Sequence, residues 1–189
     1  DPKWAQEFAR EFRFYLKLDV RKFFESVSHD VLLEMINPML REKQLRSLLG
    51  VIIQHPVPGQ NPGRGLPIGN LTSQWFANLY LDGLDHWAKE YLRVPRYLRY
   101  MDDLLFFANS KGALWRVHDE VSAFMDRNLR LTIKAEVTRL GPCTEGIPFL
   151  GMRIFPGMIR VQHGRLWRSR RRLQKRQVQW AKGLKPPAG

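Results

Sequence analysis

One cysteine, Cys143, in 189 residues leaves no disulfide to form within the chain and no thiolate cluster for a structural zinc. The five histidines, His29, His55, His86, His118 and His163, stand scattered, without metal-ligand spacing. No apolar run approaches the ~18 residues of a membrane-spanning helix. Nothing has the build of a secretory leader, and no internal repeat is present. Acid is the scarce charge, with 18 Asp and Glu against 31 Lys and Arg, a formal net charge of +13. These absences argue against a disulfide scaffold, a zinc module and a membrane protein, and lead to the expectation of a reduced, cytoplasmic chain. What is present, 44% hydrophobic and 12% aromatic residues, suffices for the core of one domain.

The positive charge is uneven. From Arg160 onward there are ten basic residues and no acid, which leaves 21 basic against 18 acidic residues before it. Within this tail Leu166, Leu173 and Trp180 recur every seven residues, the pattern of one helix with a narrow apolar seam and a basic remainder. Arg168, Arg170, Arg171, Arg172, Lys175 and Arg176 are the candidate nucleic-acid contacts. Such contacts neutralise phosphates without reading sequence and make binding salt-dependent.

The strongest chemical signal is Asp102-Asp103, set in Arg99-Tyr100-Met101-Asp102-Asp103-Leu104-Leu105-Phe106-Phe107. The flanking residues are those of a buried strand. An unpartnered buried carboxylate is costly, and two carboxylates about 4 Å apart repel by roughly 4 kcal/mol at a protein-like effective dielectric. A divalent cation removes both penalties, whereas Asp-Asp in a plain turn needs none. A third carboxylate, Asp19, ends Phe14-Tyr15-Leu16-Lys17-Leu18-Asp19, where apolar residues alternate at strand period and put Asp19 on the non-core face. Helical spacing then takes over at Phe24, Val27, Val31 and Met35, with Ser28 as an N-cap. Asp19 therefore sits at a strand end, where main-chain carbonyls can join it. Hard oxygen ligands of this kind suit Mg²⁺ or Mn²⁺.

Between the acids lies Pro56-Val57-Pro58-Gly59-Gln60-Asn61-Pro62-Gly63-Arg64-Gly65-Leu66-Pro67-Ile68-Gly69-Asn70, too rich in Pro and Gly for a regular element. A helix follows, with Phe76, Tyr80, Leu84 and Trp87 on one stripe. A glycine-rich approach to a helix lets a ligand come close to the backbone and offers free N–H groups.

Strand-Asp-helix, Gly-rich loop-helix, then a Tyr-Met-Asp-Asp hairpin resembles a reverse transcriptase palm. Asp19-Val20-Arg21-Lys22-Phe23-Phe24 is similar to the family's first catalytic block. Gly65 to Gly69 through Asn78-Leu79-Tyr80-Leu81 is similar to its template and nucleotide block. Leu129 to Lys134 resembles the next block, and Pro148-Phe149-Leu150-Gly151-Met152 the primer grip. Ile68-Gly69-Asn70-Leu71-Thr72-Ser73-Gln74 resembles the version found in diversity-generating retroelement enzymes, where group II intron and retron enzymes usually show Gln-Gly.

The resemblance implies an RNA-directed DNA polymerase, error-prone opposite template adenines. Its partners would be an RNA template, a DNA primer and product, deoxynucleotides and a small basic accessory protein. Asp19, Asp102 and, more weakly, Asp103 would hold two Mg²⁺ ions with the Val20 carbonyl, Mn²⁺ serving as a substitute. Phe24 matches the steric gate against a ribose 2′-hydroxyl, although its spacing equally suits a core residue. Pro67, Ile68, Gly69, Gln74, Tyr100 and Met101 would line the nucleotide and template-primer path, and Phe149, Leu150 and Gly151 would hold the primer. Lys134 stands nearest to the family's pyrophosphate-protonating lysine, which often falls later, where this chain has Glu136 and Val137.

The expected fold is α+β: the palm of a right-hand polymerase, an antiparallel sheet packed on helices. Strands are expected near 14–20, 97–101, 104–108 and 147–154, and helices near 29–48, 71–92 and 113–128. Residues 1–158 would form the palm with the fingers largely missing, and 159–189 the basic start of a helical thumb. A fragment so cut is expected to extend primers poorly by itself. Three alternatives stand beside this reading: a group II intron or retron-type enzyme, an RNA-directed RNA polymerase, and a non-catalytic nucleic-acid-binding palm. The RNA polymerase is disfavoured by Phe24 and by the absence of Gly before the Asp pair.

Overall fold

The computed structural model describes residues 1–56, 61–67 and 70–161, which fall into two compact units. The larger, residues 12–142, is built on a four-stranded antiparallel sheet. Its strands are β1 (Phe14–Asp19), β2 (Arg96–Tyr100), β3 (Asp103–Ala108) and β4 (Arg139–Pro142), in the order β2-β3-β1-β4. Six helices are described in all: α1 (Pro2–Glu11), α2 (Phe23–Ser26), α3 (His29–Ile36), α4 (Lys43–Ile53), α5 (Leu71–Glu90) and α6 (Lys111–Leu129).

Alternation along the strands sorts the two faces of the sheet. Leu16 and Leu18 on β1 and Leu104 and Phe106 on β3 belong to the core with α5 and α6. Phe76, Ala77, Tyr80, Leu81, Leu84 and Ala88 form the buried stripe of α5, and Leu114, Val117, Val121, Met125 and Leu129 that of α6. The opposite face carries Tyr15, Lys17 and Asp19, in register with Phe107, Leu105 and Asp103. Apolar at one end and charged at the other, this second face places acids where the strands run out.

Two expectations about element length are corrected. The helix expected over 29–48 is broken into α3, a 3₁₀ turn at Asn37–Met39 and α4, because Pro38 has no N–H to give and restricts the residue before it. The strand expected over 147–154 is two strands, β5 (Ile147–Phe149) and β6 (Met152–Ile154), paired through a two-residue turn. Leu150 and Gly151 there have φ of +49° and +75°, positive at both central positions as in a type I′ hairpin turn.

The smaller unit joins residues 1–11 to residues 143–161. A sheet of β5, β6 and β7 (Ile159–Val161) accompanies α1, and Ala5, Ala9, Cys143, Ile147, Phe149 and Ile154 are its buried residues. Gly146, at φ +85°, admits no side chain, since a Cβ would stand 2.7 Å from the Phe155 ring. The basic segment beyond residue 161, with Arg168, Arg170, Arg171, Arg172, Lys175 and Arg176, lies outside the described residues. No helix among the described residues is long and apolar enough to cross a membrane.

Candidate active site

The register of β1 against β3 pairs Asp19 with Asp103 and that of β2 against β3 pairs Tyr100 with Asp103. Directly opposed residues on one face have Cβ atoms roughly 4.5–5.5 Å apart, so two carboxylates from distant parts of the chain meet at the sheet's end. Asp102 adjoins them in the β2–β3 loop, which consists of Met101 and Asp102 alone. Met101 takes φ +55°, a conformation usually left to Gly at the first position of such a loop.

The electrostatics follow from this crowding. Burial raises the Asp102 carboxyl above the ordinary carboxylate range, and the charges of Asp19 and Asp103 push it the same way. Asp19 is raised first by burial, then by Asp103, against the opposing pull of Lys17 and Lys134. The Lys17 ammonium lies 2.7 Å from Asp103 Oδ1 in a largely buried ion pair. Lys17 stands opposite Leu105, one diagonal step away on the same face. That ion pair does not meet hydrogen-bond geometry, and Asp103 Oδ1 is buried without a hydrogen-bond partner.

The donor set has the hard-oxygen chemistry of a divalent-cation site. Among the described residues no three of His, Cys, Asp and Glu are gathered as a metal cluster. With Asp103 facing Lys17, the pair left for a cation is Asp19 and Asp102. Val20 adds a main-chain donor. It bridges to Ile133 through the bonds Arg21 N–H to Thr132 O and Lys134 N–H to Asp19 O, both 2.8 Å, neither of which engages the Val20 carbonyl. Two carboxylates and a carbonyl are few for Ca²⁺ but suit Mg²⁺, which retains waters and takes its remaining ligands from substrate phosphates. The same bridge brings Lys134 beside Asp19.

The segment carrying Phe24 is pinned to the Gly-rich loop. Leu66 N–H donates to the Phe24 carbonyl at 2.7 Å and Gly65 N–H to that of Val27 at 2.8 Å. Phe24 is half-buried at the edge of the core, with its ring edge-on to Phe23 at 5.4 Å. Pro67 is half-buried and Gln74 exposed on the first turn of α5, while Ile68 and Gly69 lie outside the described residues. Tyr100 is exposed on the carboxylate face. Phe149, Leu150 and Gly151 form the end of β5 and its turn in the other unit.

Several side chains in this region have partners that their motifs do not specify. His29, buried, hydrogen-bonds the Gly65 carbonyl at 2.7 Å. The Tyr80 hydroxyl, also buried, accepts from Ser28 N–H at 3.2 Å and donates to the Leu129 carbonyl at 2.6 Å. Ser28 begins α3 as expected, but its side chain makes no cap bond. Arg99 and Asp85 form a tight ion pair behind the Asp102 loop. Only the helical period of Tyr80 and the place of Arg99 before the Asp pair are visible in sequence; their partners are set by tertiary packing.

Residues 5–154 match the model of the family described as reverse transcriptase (RNA-dependent DNA polymerase). Over 81 residues, 40% of this chain and 10% of the other, the sequence is 25% identical to a COX1/OXI3 intron 2 protein of Saccharomyces cerevisiae. Among solved structures, apo telomerase from Candida tropicalis superposes with a TM-score of 0.67 at 14% identity, covering 85% of this chain and 35% of that one. Telomerase from Candida albicans, in complex with a fragment of telomeric RNA, gives 0.66 at 13% identity, covering 86% and 34%. These similarities are of fold, and the chain spans about a third of the telomerases' length.

Proposed function

Because the chain belongs to the reverse transcriptase family, we propose that it is the palm of an RNA-directed DNA polymerase whose reaction centres on Asp19 and Asp102. The observation that carries this reading is the pairing of Asp19 with Asp103 across β1 and β3, with Asp102 in the adjoining loop. The reaction is attack of a primer 3′-hydroxyl on the α-phosphorus of a deoxynucleoside triphosphate. The new O–P bond forms as the bond to pyrophosphate breaks, and the hydroxyl proton passes to solvent. Two divalent ions, when bound, lower the pKa of the attacking hydroxyl and stabilise the leaving oxygen. Asp19, Asp102 and the Val20 carbonyl would hold them.

The remaining residues act around that centre. Lys17 neutralises Asp103 and so keeps the local charge near what two divalent ions and a triphosphate can balance. Lys134, beside Asp19, supplies a cation on the side from which phosphates approach. The Phe24 ring fills space that a ribose 2′-hydroxyl would need. Pro67, Ile68, Gly69 and Gln74 line the nucleotide and template path, Tyr100 and Met101 the end of the primer, and Phe149, Leu150 and Gly151 grip it. The basic residues from Arg168 to Arg176 hold the duplex through its phosphates.

Ile68-Gly69 in place of Gln-Gly supports the finer assignment to diversity-generating retroelement enzymes, with reduced fidelity opposite adenine and a small basic accessory protein as partner. The intact protein given an RNA template, a DNA primer, deoxynucleotides and Mg²⁺ is expected to extend the primer, to stop on chelation, and to misincorporate most opposite template adenine. Absence of extension with either metal overturns the polymerase reading. Uniform fidelity across template bases overturns the subtype alone.

A further inference from the structure

The Asp102 loop is not self-supporting. It has two residues, and the first, Met101, is held at φ +55° without the freedom of glycine. An unbranched side chain with no local hydrogen-bonding group favours other conformations, so something outside the loop must impose this one.

Arg99 is placed to do so. It lies on the helix-facing side of β2, where alternation also puts Tyr97, and both reach α5. Its Nε and Nη2 engage both carboxylate oxygens of Asp85, with Nε to Oδ1 at 2.8 Å and Nη2 to Oδ2 at 2.5 Å. The Tyr97 hydroxyl donates to the same Asp85 Oδ1 at 2.9 Å. With two sides of the guanidinium fixed, Nη1 is directed at Asn78 Oδ1 at 3.2 Å and at the Met101 carbonyl at 3.3 Å. We propose that Arg99, braced by Asp85, is a positioning residue that grips the Met101 carbonyl and thereby fixes the loop presenting Asp102.

This inference rests on the polymerase reading for its catalytic meaning, but the grip itself is a property of the loop. Stability alone does not explain the pair. The two side chains are 12% and 21% exposed, and a buried ion pair of this kind is often replaceable by apolar residues without loss. An apolar pair cannot hold a carbonyl. Lysine cannot either while also engaging Asp85, because one ammonium lacks the rigid fork that serves two directions at once.

The test uses Arg99→Lys, Arg99→Ala and Asp85→Asn in the intact protein. Amide hydrogen exchange at residues 101–103 reads the loop directly and is expected to quicken in all three. Calorimetric titration with Mn²⁺ alone, without nucleotide or template, is expected to show affinity reduced roughly ten- to a hundredfold, as for other residues that orient metal ligands. The single-turnover rate should fall by a similar factor while KM for the nucleotide holds. A solvent-open cleft of about 380 Å³ runs beside Arg99, lined by Asn78, Asp85, Lys89 and Tyr97, so millimolar guanidinium should partly restore Arg99→Ala. Should Arg99→Ala not fold, Arg99→Lys carries the same readings without rescue. Variants that lose thermal stability yet keep wild-type exchange, Mn²⁺ affinity and rate would reduce the pair to a structural role and overturn the proposal. If Asp102→Asn extends primers normally while exchange still quickens in the Arg99 variants, the polymerase reading fails and the grip stands.

Discussion

Asp19 and Asp103 face each other across β1 and β3, two like charges in direct register at the end of a sheet. Opposed like charges destabilise a strand pair, and here a third acid, Asp102, adjoins them. Lys17 offsets one charge. Asp19 is raised in pKa by burial and by Asp103, and Asp102 by burial and by both neighbouring carboxylates, a pattern that suits a ligand bringing positive charge.

Removing that repulsion should stabilise the metal-free protein. A carboxyl raised in the fold binds a proton that the unfolded chain has already released, so its contribution to stability falls as pH rises from the ordinary Asp value through the raised one. Above that window the penalty is constant. Asp102→Asn is therefore expected to raise the melting temperature at pH 7 in EDTA, by about 2–4 °C for roughly 1 kcal/mol of repulsion after solvent screening. Mn²⁺ should raise the wild-type midpoint and leave that of Asp102→Asn nearly unmoved, with the gain vanishing in acid as the carboxyls protonate. Differential scanning calorimetry across pH checks both, and a drop in stability for Asp102→Asn in EDTA contradicts the electrostatic account.

Phe24 is half-buried at the edge of the core, beside the Leu66 backbone. Phe24→Ala is expected to increase acceptance of ribonucleotides relative to deoxynucleotides by about 1–3 kcal/mol of discrimination, the worth of a small steric difference in a pocket. The ratio of kcat/KM values for the two substrates is the measurement. An unchanged ratio in a folded variant removes the gate and leaves Phe24 a packing residue.

Tyr80 ties three elements with one hydroxyl, linking Ser28 at the start of α3, Leu129 at the end of α6 and its own helix α5. Tyr80→Phe leaves the buried Ser28 N–H and Leu129 carbonyl without that partner, a cost of about 1–3 kcal/mol. Urea unfolding should show the midpoint lowered at constant slope, and an unchanged midpoint would mean that water replaces the hydroxyl.

Much of this was legible in the chain. Alternation in Phe14–Asp19 placed Asp19 on the face away from the helices, and the buried run after Asp103 marked β3, because both signals are local and periodic. The α5 stripe was read for the same reason. The two breaks were not: Pro38 ends α3 inside a continuous helical pattern, and Leu150-Gly151 turns the chain within what reads as one strand. The positive φ of Met101 and the Arg99–Asp85 grip were equally hidden, since a left-handed Met has no sequence signature and the pair is set by how β2 lies on α5. That Asp103 would face Lys17 depended on the β1–β3 register, which no single strand reveals.

The most direct test of the whole account is single-turnover addition of one deoxynucleotide to a DNA primer on an RNA template, by wild type, Asp19→Asn, Asp102→Asn and the double variant of the intact protein. Each single change is expected to slow addition at least roughly a hundredfold, and the double variant to be little worse than the slower single one, as for groups that act as a unit. Either variant adding nucleotide within a few-fold of the wild-type rate would contradict it.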